Sequence, residues 1–577
     1  MVPLRFEGHR DAAGPLTAGQ RNIAKWLLNA PHAPAAVLDH TFAVPPGTTV
    51  EDVAACLRVL LCRHEGLRST YRLGDPGEQR VLAAGSLPLL VHDADGGGDA
   101  PDGGGAGAAA RLVALCRAEP FDVAAEPPVR FGVAVTAAGL VTAAVMVCSH
   151  LAVDFQALAV LDAEFAEMIR DPAARVPGEP RPQPLDRAAL EDRPARRRRM
   201  DQAVRHWARA LRVAPAHPYA KPRTAPPAAS GAGTGSGACG MSSPAAAMAL
   251  EHVAARTGAS RPAIVLAAFC ALLSRRTGDA TCTFVTLSAN RFESDLLRYV
   301  GTLAQATFLT VEVGDSGFDA LVRRCFGAVL QAGLHGAYDV HRQHEQSTRI
   351  VAERGIAPTF EPMFNSIVMD TRAPAPGSLR DIALAPATET QWVDLPATDI
   401  LLRFDLGSVD GALIARVWTG DTSRVSPAEA ESLLLALERL VIAAAGGDLD
   451  HAGIVGALGL APIQRPPGWL HIDHCWVDVA EVQRLLDDAL APAVCRVFPG
   501  VDGVPLTAYV AGGPATAQEA HERCLAALPG RHAAMAPQRY VLCGQSPADP
   551  ALLAAWQAEP VLAEGSGRTG DLALSAV

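Results

Sequence analysis

Residues 143–155 read Ala143-Ala144-Val145-Met146-Val147-Cys148-Ser149-His150-Leu151-Ala152-Val153-Asp154-Phe155. The apolar, Val-containing run through Cys148 predicts a buried strand, and Ser149-His150 marks its polar tip, with Asp154 following in the next turn of chain. Imidazole is the side chain best suited to moving a proton near neutral pH, and a carboxylate close in sequence can anchor the loop that carries it. By residue type alone, a histidine beside an apolar strand is more often a satisfied core residue. Ser149 does not read as a nucleophile: no Gly-x-Ser-x-Gly surrounds it, and adjacent strand residues point to opposite faces. Cys148 reads as a buried strand thiol.

Working outward, the whole chain sets bounds. At 577 residues it exceeds what one core can organise, so three or four packed units are expected. A content of 49% hydrophobic and 19% charged residues is that of a globular protein rather than a disordered one. The net charge of -11, with no long basic run, argues against nucleic acid as a partner. Twelve cysteines without a CxxC pair, and no apolar N-terminal segment suggesting export, predict reduced thiols and a cytoplasmic location. The longest apolar run, Ile264 to Leu273, is too short to span a bilayer, so no membrane is expected. His471-Ile472-Asp473-His474-Cys475 carries metal-capable side chains, but their spacing fits no tetrahedral set, so no metal is predicted. No Gly-rich phosphate loop is found, and no permanently bound cofactor is expected.

Along the chain, Thr17 is placed to cap a helix carrying Ile23, Trp26 and Leu27 on one face. Val53, Cys56, Leu57, Val59, Leu60 and Leu61 predict a second helix, running into Arg63-His64-Glu65-Gly66-Leu67-Arg68-Ser69-Thr70-Tyr71, read as structural residues joining this helix layer to the sheet. The stretches Gly96–Ala110 and Ala225–Pro244 lack periodicity and predict loops. Pro- and Arg-rich residues from Pro177 to Arg199 predict a lobe boundary, with Arg196 to Arg199 as a solvated helix start rather than a phosphate site. Leu158–Ile169 has helical spacing, Ala263–Arg275 predicts a buried helix and Thr283–Leu287 a strand.

Several of these stretches resemble the condensation domains of nonribosomal peptide synthetases, members of the chloramphenicol acetyltransferase-like superfamily. The stretch at His150 is similar to their His-His-x-x-x-Asp-Gly signature: His150 and Asp154 fall on its second His and its Asp, while Ser149 replaces the first His and Phe155 the Gly. Thr17-x-x-Gln20, the Arg63–Tyr71 stretch, Phe121-Asp122-Val123 with Pro127-Pro128-Val129-Arg130, and Trp207–Leu211 resemble further family motifs. So do Asn290-Arg291 with Val300-Gly301-Thr302-Leu303, Phe364-Asn365-Ser366, and Phe404-Asp405-Leu406 with Asp410–Leu413, so that the resemblance covers Pro15 to Gly447.

The resemblance implies an α/β fold of two chloramphenicol acetyltransferase-like lobes in a V-shaped arrangement, with a tunnel entered by phosphopantetheine arms and His150 at its midpoint. Residues 1–180 would form the N-terminal lobe and 181–450 the second. His150 would be catalytic; Asp154, in a buried ion pair with Arg291, and Ser149 would be structural at the site. The implied reaction moves an acyl group from a carrier-protein thioester to an amine or hydroxyl, with the phosphopantetheine arm as substrate tether. Partners would be acyl or peptidyl carrier proteins and a small amine or alcohol acceptor. Loss of the first signature His and of the Gly leaves two alternatives open: a degenerate domain that recruits a partner protein, or a CoA-dependent acyltransferase. After a linker at 451–465, residues 466–577 resemble the small C-terminal α+β subdomain of adenylation enzymes without its catalytic lysine, expected either to dock a carrier or to brace the second lobe.

Overall fold

The strand at the opening stretch runs Val141–Ser149 and is inner in a five-stranded sheet ordered Val2–Glu7, Ala84–Asp93, Val129–Val135, Val141–Ser149, Val37–Phe42. Only the Ala84–Asp93/Val129–Val135 pair is parallel. Its continuous apolar character follows from cover on both faces. Ala143, Val145 and Val147 pack with Leu112 and Cys116 of the helix Gly105–Arg117. Ala144, Met146 and Cys148 instead meet Val53, Leu57 and Leu60 of the helix Val50–Arg63, and Leu161 and Phe165 of the helix Phe155–Arg170.

The structure, a computed structural model, describes residues 1–30, 36–94, 105–176, 182–222, 235–366, 377–396, 401–407 and 411–568. The chain divides into two compact units. One gathers Met1–Val204, Ser288–Gln305 and Leu334–Arg342; the other gathers Arg205–Leu287, Ala306–Gly333 and Gln343–Val577. In the first, Thr17 caps the helix Ala18–Asn29 through a capping box with Gln20, and Thr49 caps Val50–Arg63 in the same way with Asp52. The Arg63–Tyr71 stretch is tied inward: Glu164 receives both Arg63 Nη1 (3.1 Å) and His64 Nε2 (3.0 Å), and the Tyr71 hydroxyl donates to the Gly66 carbonyl (3.3 Å).

The second unit is built on a seven-stranded sheet ordered Gln305–Glu312, Thr281–Ser288, Met363–Ser366, Arg403–Leu406, Leu413–Thr419, Ser236–Ser243, Glu389–Leu395. The helix Arg261–Thr277 is apolar around its whole circumference because residues from Ala263 to Leu273 are all buried. It shares its core with the helices Pro244–Thr257 and Pro427–Ala445. Among the described residues, no single helix is long and apolar enough to cross a membrane.

Two expected loops are corrected. Within 96–110, a helix begins at Gly105; Ala108 and Ala109 are buried there, and small side chains let the helix lie close to the sheet, so the composition hides it. Within 225–244, Ser236–Ser243 is an inner strand paired on both sides. Its residues are small because a neighbour covers them: a Cβ on Gly237 would collide with the Trp392 ring. The remaining residues of these two stretches, 96–104 and 225–234, lie outside the described residues, as do 177–181 of the expected lobe boundary and Asp410. Arg196 lies in the helix Pro194–Val213 and pairs with Glu293.

Residues 466–568 add a hairpin, Trp469–Ile472 with Cys475–Asp478, and a sheet ordered Val494–Val501, Val504–Ala511, Arg539–Cys543, Val561–Gly565. The helices Val479–Ala489 and Ala517–Ala527 cover it, and Val482, Leu485, Leu506, Val510, Cys524 and Tyr540 form a core of its own, joined by Ala216 and Ile356. The hairpin turns on Asp473 and His474, both left-handed (φ 47° and 63°), the geometry of a two-residue type I′ turn. Arg354 seals this seam. Its Nε and Nη2 donate to the Asp473 carboxylate and carbonyl (2.6 Å each), and Nη1 donates to the carbonyls of Leu211 and Ala214 (2.6 Å each).

Candidate active site

The signature strand ends at Ser149, which is buried and paired opposite Val37. Beyond it the chain turns back: the Ala152 N–H donates to the Ser149 carbonyl (3.0 Å) and the Leu151 N–H to Ser149 Oγ (3.2 Å). His150 sits on this turn, half-buried, with its N–H donated to the Ala36 carbonyl (2.8 Å) and its carbonyl accepting from the Thr302 hydroxyl. Its Nδ1 is buried and has no hydrogen-bond partner in another residue among those described. Burial lowers the imidazole pKa, opposed by the Asp154 charge and the residue's own backbone, and so favours the neutral ring, the form that can act as a base. Cys148 is fully buried and its thiol is held well above its usual range by burial, which removes it as a nucleophile.

Asp154 does two things. As N-cap of the helix Phe155–Arg170, its Oδ1 accepts the Ala157 N–H (2.9 Å). Its Oδ2 receives Arg291 Nη1 (2.7 Å) and the N–H groups of Leu303 (2.9 Å) and Ala304 (3.2 Å). Arg291 completes the knot by donating to the carbonyls of Ala289, Tyr299 and Gly301 (3.2, 3.3 and 3.1 Å). Asp154 is 1% and Arg291 9% exposed, so this is a buried ion pair whose charges are met by hydrogen bonds. It fastens the segment 288–305 to the histidine turn. Gly19 lets the helix Ala18–Asn29 approach the same segment: a Cβ there would overlap the Thr302 carbonyl oxygen and lie 2.9 Å from Leu303 Cα. Phe155, at the first position of its helix, is 47% exposed.

The structure thus brings Ser149, His150, Asp154 and Arg291 into one neighbourhood. The His471–Cys475 side chains diverge: His471 Nε2 meets Asp279 (3.1 Å), Asp473 holds Arg354, and Cys475 Sγ accepts the Ala216 N–H (3.3 Å). Among the described residues, no group of His, Cys, Asp or Glu side chains is placed to hold a metal ion. Thr302 and Ala36 were not singled out in the sequence. Both act on backbone atoms, one through a hydroxyl at a variable motif position and one through a carbonyl, and neither leaves a residue-type signal.

Comparison with known proteins gives three findings. The model of the condensation domain family matches residues 12–377, more than half of the chain. Phosphinothricin tripeptide synthetase PhsC of Streptomyces viridochromogenes is 27% identical over 314 residues, 52% of this chain; the match spans 28% of that synthetase's length. Among solved structures, the X-domain from teicoplanin biosynthesis is similar with a TM-score of 0.56 at 20% identity, covering 77% of this chain and 98% of that one. The first condensation domain of the calcium-dependent antibiotic synthetase, in complex with a substrate analogue, gives 0.54 at 17%, covering 75% and 96%. A structure describing condensation domain-mediated chain release from the enacyloxin polyketide synthase gives 0.55 at 20%, covering 80% and 84%. At these identities the likeness is one of fold.

Proposed function

Since this chain belongs to the condensation domain family, we propose that it transfers an acyl group from a carrier-protein thioester to an amine or hydroxyl acceptor, with His150 handling the proton. The observation that supports this most directly is an imidazole at the end of a buried strand, on a turn fastened by a buried ion pair, where burial favours its neutral form. A thioester is already activated. The acceptor attacks its carbonyl, the new C–N or C–O bond forms, the C–S bond breaks, and the acceptor's proton ends on the departing phosphopantetheine thiol. The imidazole needs only to take that proton, or to hold the acceptor in line while it passes. Asp154, Arg291 and Ser149 hold the turn and stay out of the proton path. Carrier proteins and the acceptor come from outside these residues. In the same reading, residues 1–180 and 181–450 are the two condensation lobes and 466–577 an adenylation-subdomain relative retained as a fixed brace, a role supported by the Arg354 seam, while the expected linker 451–465 opens instead with the helix His451–Leu458, whose Ile454 and Leu458 join the second unit's core.

A recruiting role is the second reading. Ser149 and the half-exposed Phe155 replace two signature residues, and a fold relative, the X-domain from teicoplanin biosynthesis, has been solved in complex with OxyB. Single-turnover transfer from an acyl-loaded carrier protein to an amine, with acyl-CoA as competing donor, separates the readings. His150→Ala should lower the rate by about 10²–10⁴-fold with the fold intact. Near wild-type product formation by that variant removes His150 from the mechanism. Absence of transfer by the wild-type chain, with a partner still bound, favours recruitment.

A further inference from the structure

A working imidazole is commonly oriented through its second ring nitrogen, by a carboxylate or carbonyl that fixes both ring and tautomer. On His150 the buried Nδ1 meets no hydrogen-bonding group of another residue among those described, and beside it stands only the residue's own backbone, which favours the charged ring. Asp154, the nearby carboxylate, is committed elsewhere: both its oxygens are filled by Ala157, Arg291, Leu303 and Ala304. The ring must therefore be aimed through its own main chain.

The main chain there is held at three successive polar atoms. The His150 N–H is given to the Ala36 carbonyl, the His150 carbonyl takes the Thr302 hydroxyl, and the next N–H, that of Leu151, is given to Ser149 Oγ. The peptide bond after the histidine is thus gripped at its C=O end by one hydroxyl and at its N–H end by another. Thr302 is completely buried, and its own position is set one residue later, where the Leu303 N–H is fixed on Asp154.

We propose that Thr302 is the positioning residue for His150, its hydroxyl gripping the His150 carbonyl while Ser149 Oγ holds the following N–H, so that the ion pair acts on the imidazole through Thr302. This rests on the proposed acyl transfer only for its kinetic readout. Ser149 then supplies a backbone acceptor where the family signature has an imidazole. The Asp154–Arg291 knot is transmitted to the ring by one intervening residue, not by contact with it.

Thr302→Val removes the hydroxyl at nearly constant volume and Thr302→Ser keeps it. With an aim error of about 1 Å costing roughly 10²-fold, Thr302→Val should lower kcat by about 10²-fold with KM for the acyl carrier unchanged, and Thr302→Ser should restore it to within a few-fold. Ser149→Ala, which loosens one end only, should cost a few-fold. The second readout needs no activity: the ring signal of His150 in protein carrying ¹³C-labelled histidine, assigned by its loss in His150→Ala. It should be single in the wild type and Thr302→Ser, and shifted or split in Thr302→Val. An unchanged ring signal in folded Thr302→Val overturns the proposal, as does wild-type kcat in that variant. A chain without transferase activity but with a displaced ring in Thr302→Val refutes the function above and leaves the positioning role standing.

Discussion

Replacing Asp154 by Ala tests whether the carboxylate is an anchor or a chemical participant. The substitution leaves the Arg291 guanidinium in a buried site with only carbonyls as partners, strands the N–H groups of Leu303 and Ala304, and uncaps the helix Phe155–Arg170. Breaking a buried pair from one side costs about 3–5 kcal/mol, and losing an N-cap about 1 kcal/mol. These losses share atoms and do not simply add, so their sum of about 4–6 kcal/mol is an upper bound. Domains are typically stable by about 5–15 kcal/mol, so Asp154→Ala should be insoluble or melt far below the wild type. Asparagine is no remedy. Both carboxylate oxygens face donors only, and an amide leaves its NH₂ pointing at one of them. The assay is denaturant unfolding of the wild type, Asp154→Ala, Arg291→Ala and the double variant. Coupling should be large, with the double variant less unstable than the sum of the singles. An Asp154→Ala protein within 1 kcal/mol of wild type yet inactive would refute the anchoring argument and give the carboxylate a direct part in the chemistry.

Other outcomes follow from the same geometry. Gly19→Ala should destabilise by about 1–3 kcal/mol despite the better helix former, because its Cβ meets backbone that cannot yield, and melting temperature reports it. Burial lowers the pKa of His150, His217 and His521, so the unfolded chain binds more protons below about pH 6.5 and stability should fall as pH drops through that value. Glu361, pushed up to about 8 by burial, acts oppositely: the folded state keeps a proton the unfolded chain releases from about pH 4.5, so its contribution declines from there toward 8 and, above the histidine range, sets the trend. Thermal melts across this range should show Glu361→Gln losing the alkaline decline. Arg354→Ala should cost roughly 3 kcal/mol and free the Asp473 turn, read by hydrogen exchange at the hairpin, while a chain ending near Gly447 should aggregate as Ile356 and Ala216 are exposed. A soluble, unchanged truncation would count against the brace.

What could be read from the sequence depended on whether the signal was local. The helices after Thr17 and Thr49 announce themselves by cap and period, and the helix Arg261–Thr277 by unbroken apolarity. The strand Ser236–Ser243 does not, because its glycines and alanine are dictated by Trp392 and other neighbours distant in sequence. The helix from Gly105 is hidden in the same way. At the site, the pairing of Arg291 with Asp154 carries no spacing signal and was legible only through resemblance. The role of Thr302, whose hydroxyl acts on a backbone carbonyl, left no such signal.

The seam at Arg354 bears on exchanging parts between related chains. This guanidinium joins the end of the helix Pro194–Val213, its own position in the last turn of the helix Val340–Arg354 and the Asp473 turn. A chimera spliced in the stretch 447–465 would take Asp473 from one parent and Arg354 with its carbonyls from the other. Such a graft places a buried cation from one lineage against a hairpin from another. A workable crossover must either carry Arg354, Leu211, Ala214 and Asp473 together or draw both halves from parents that share this four-residue joint, which makes the joint a criterion for choosing parents before any splice is made.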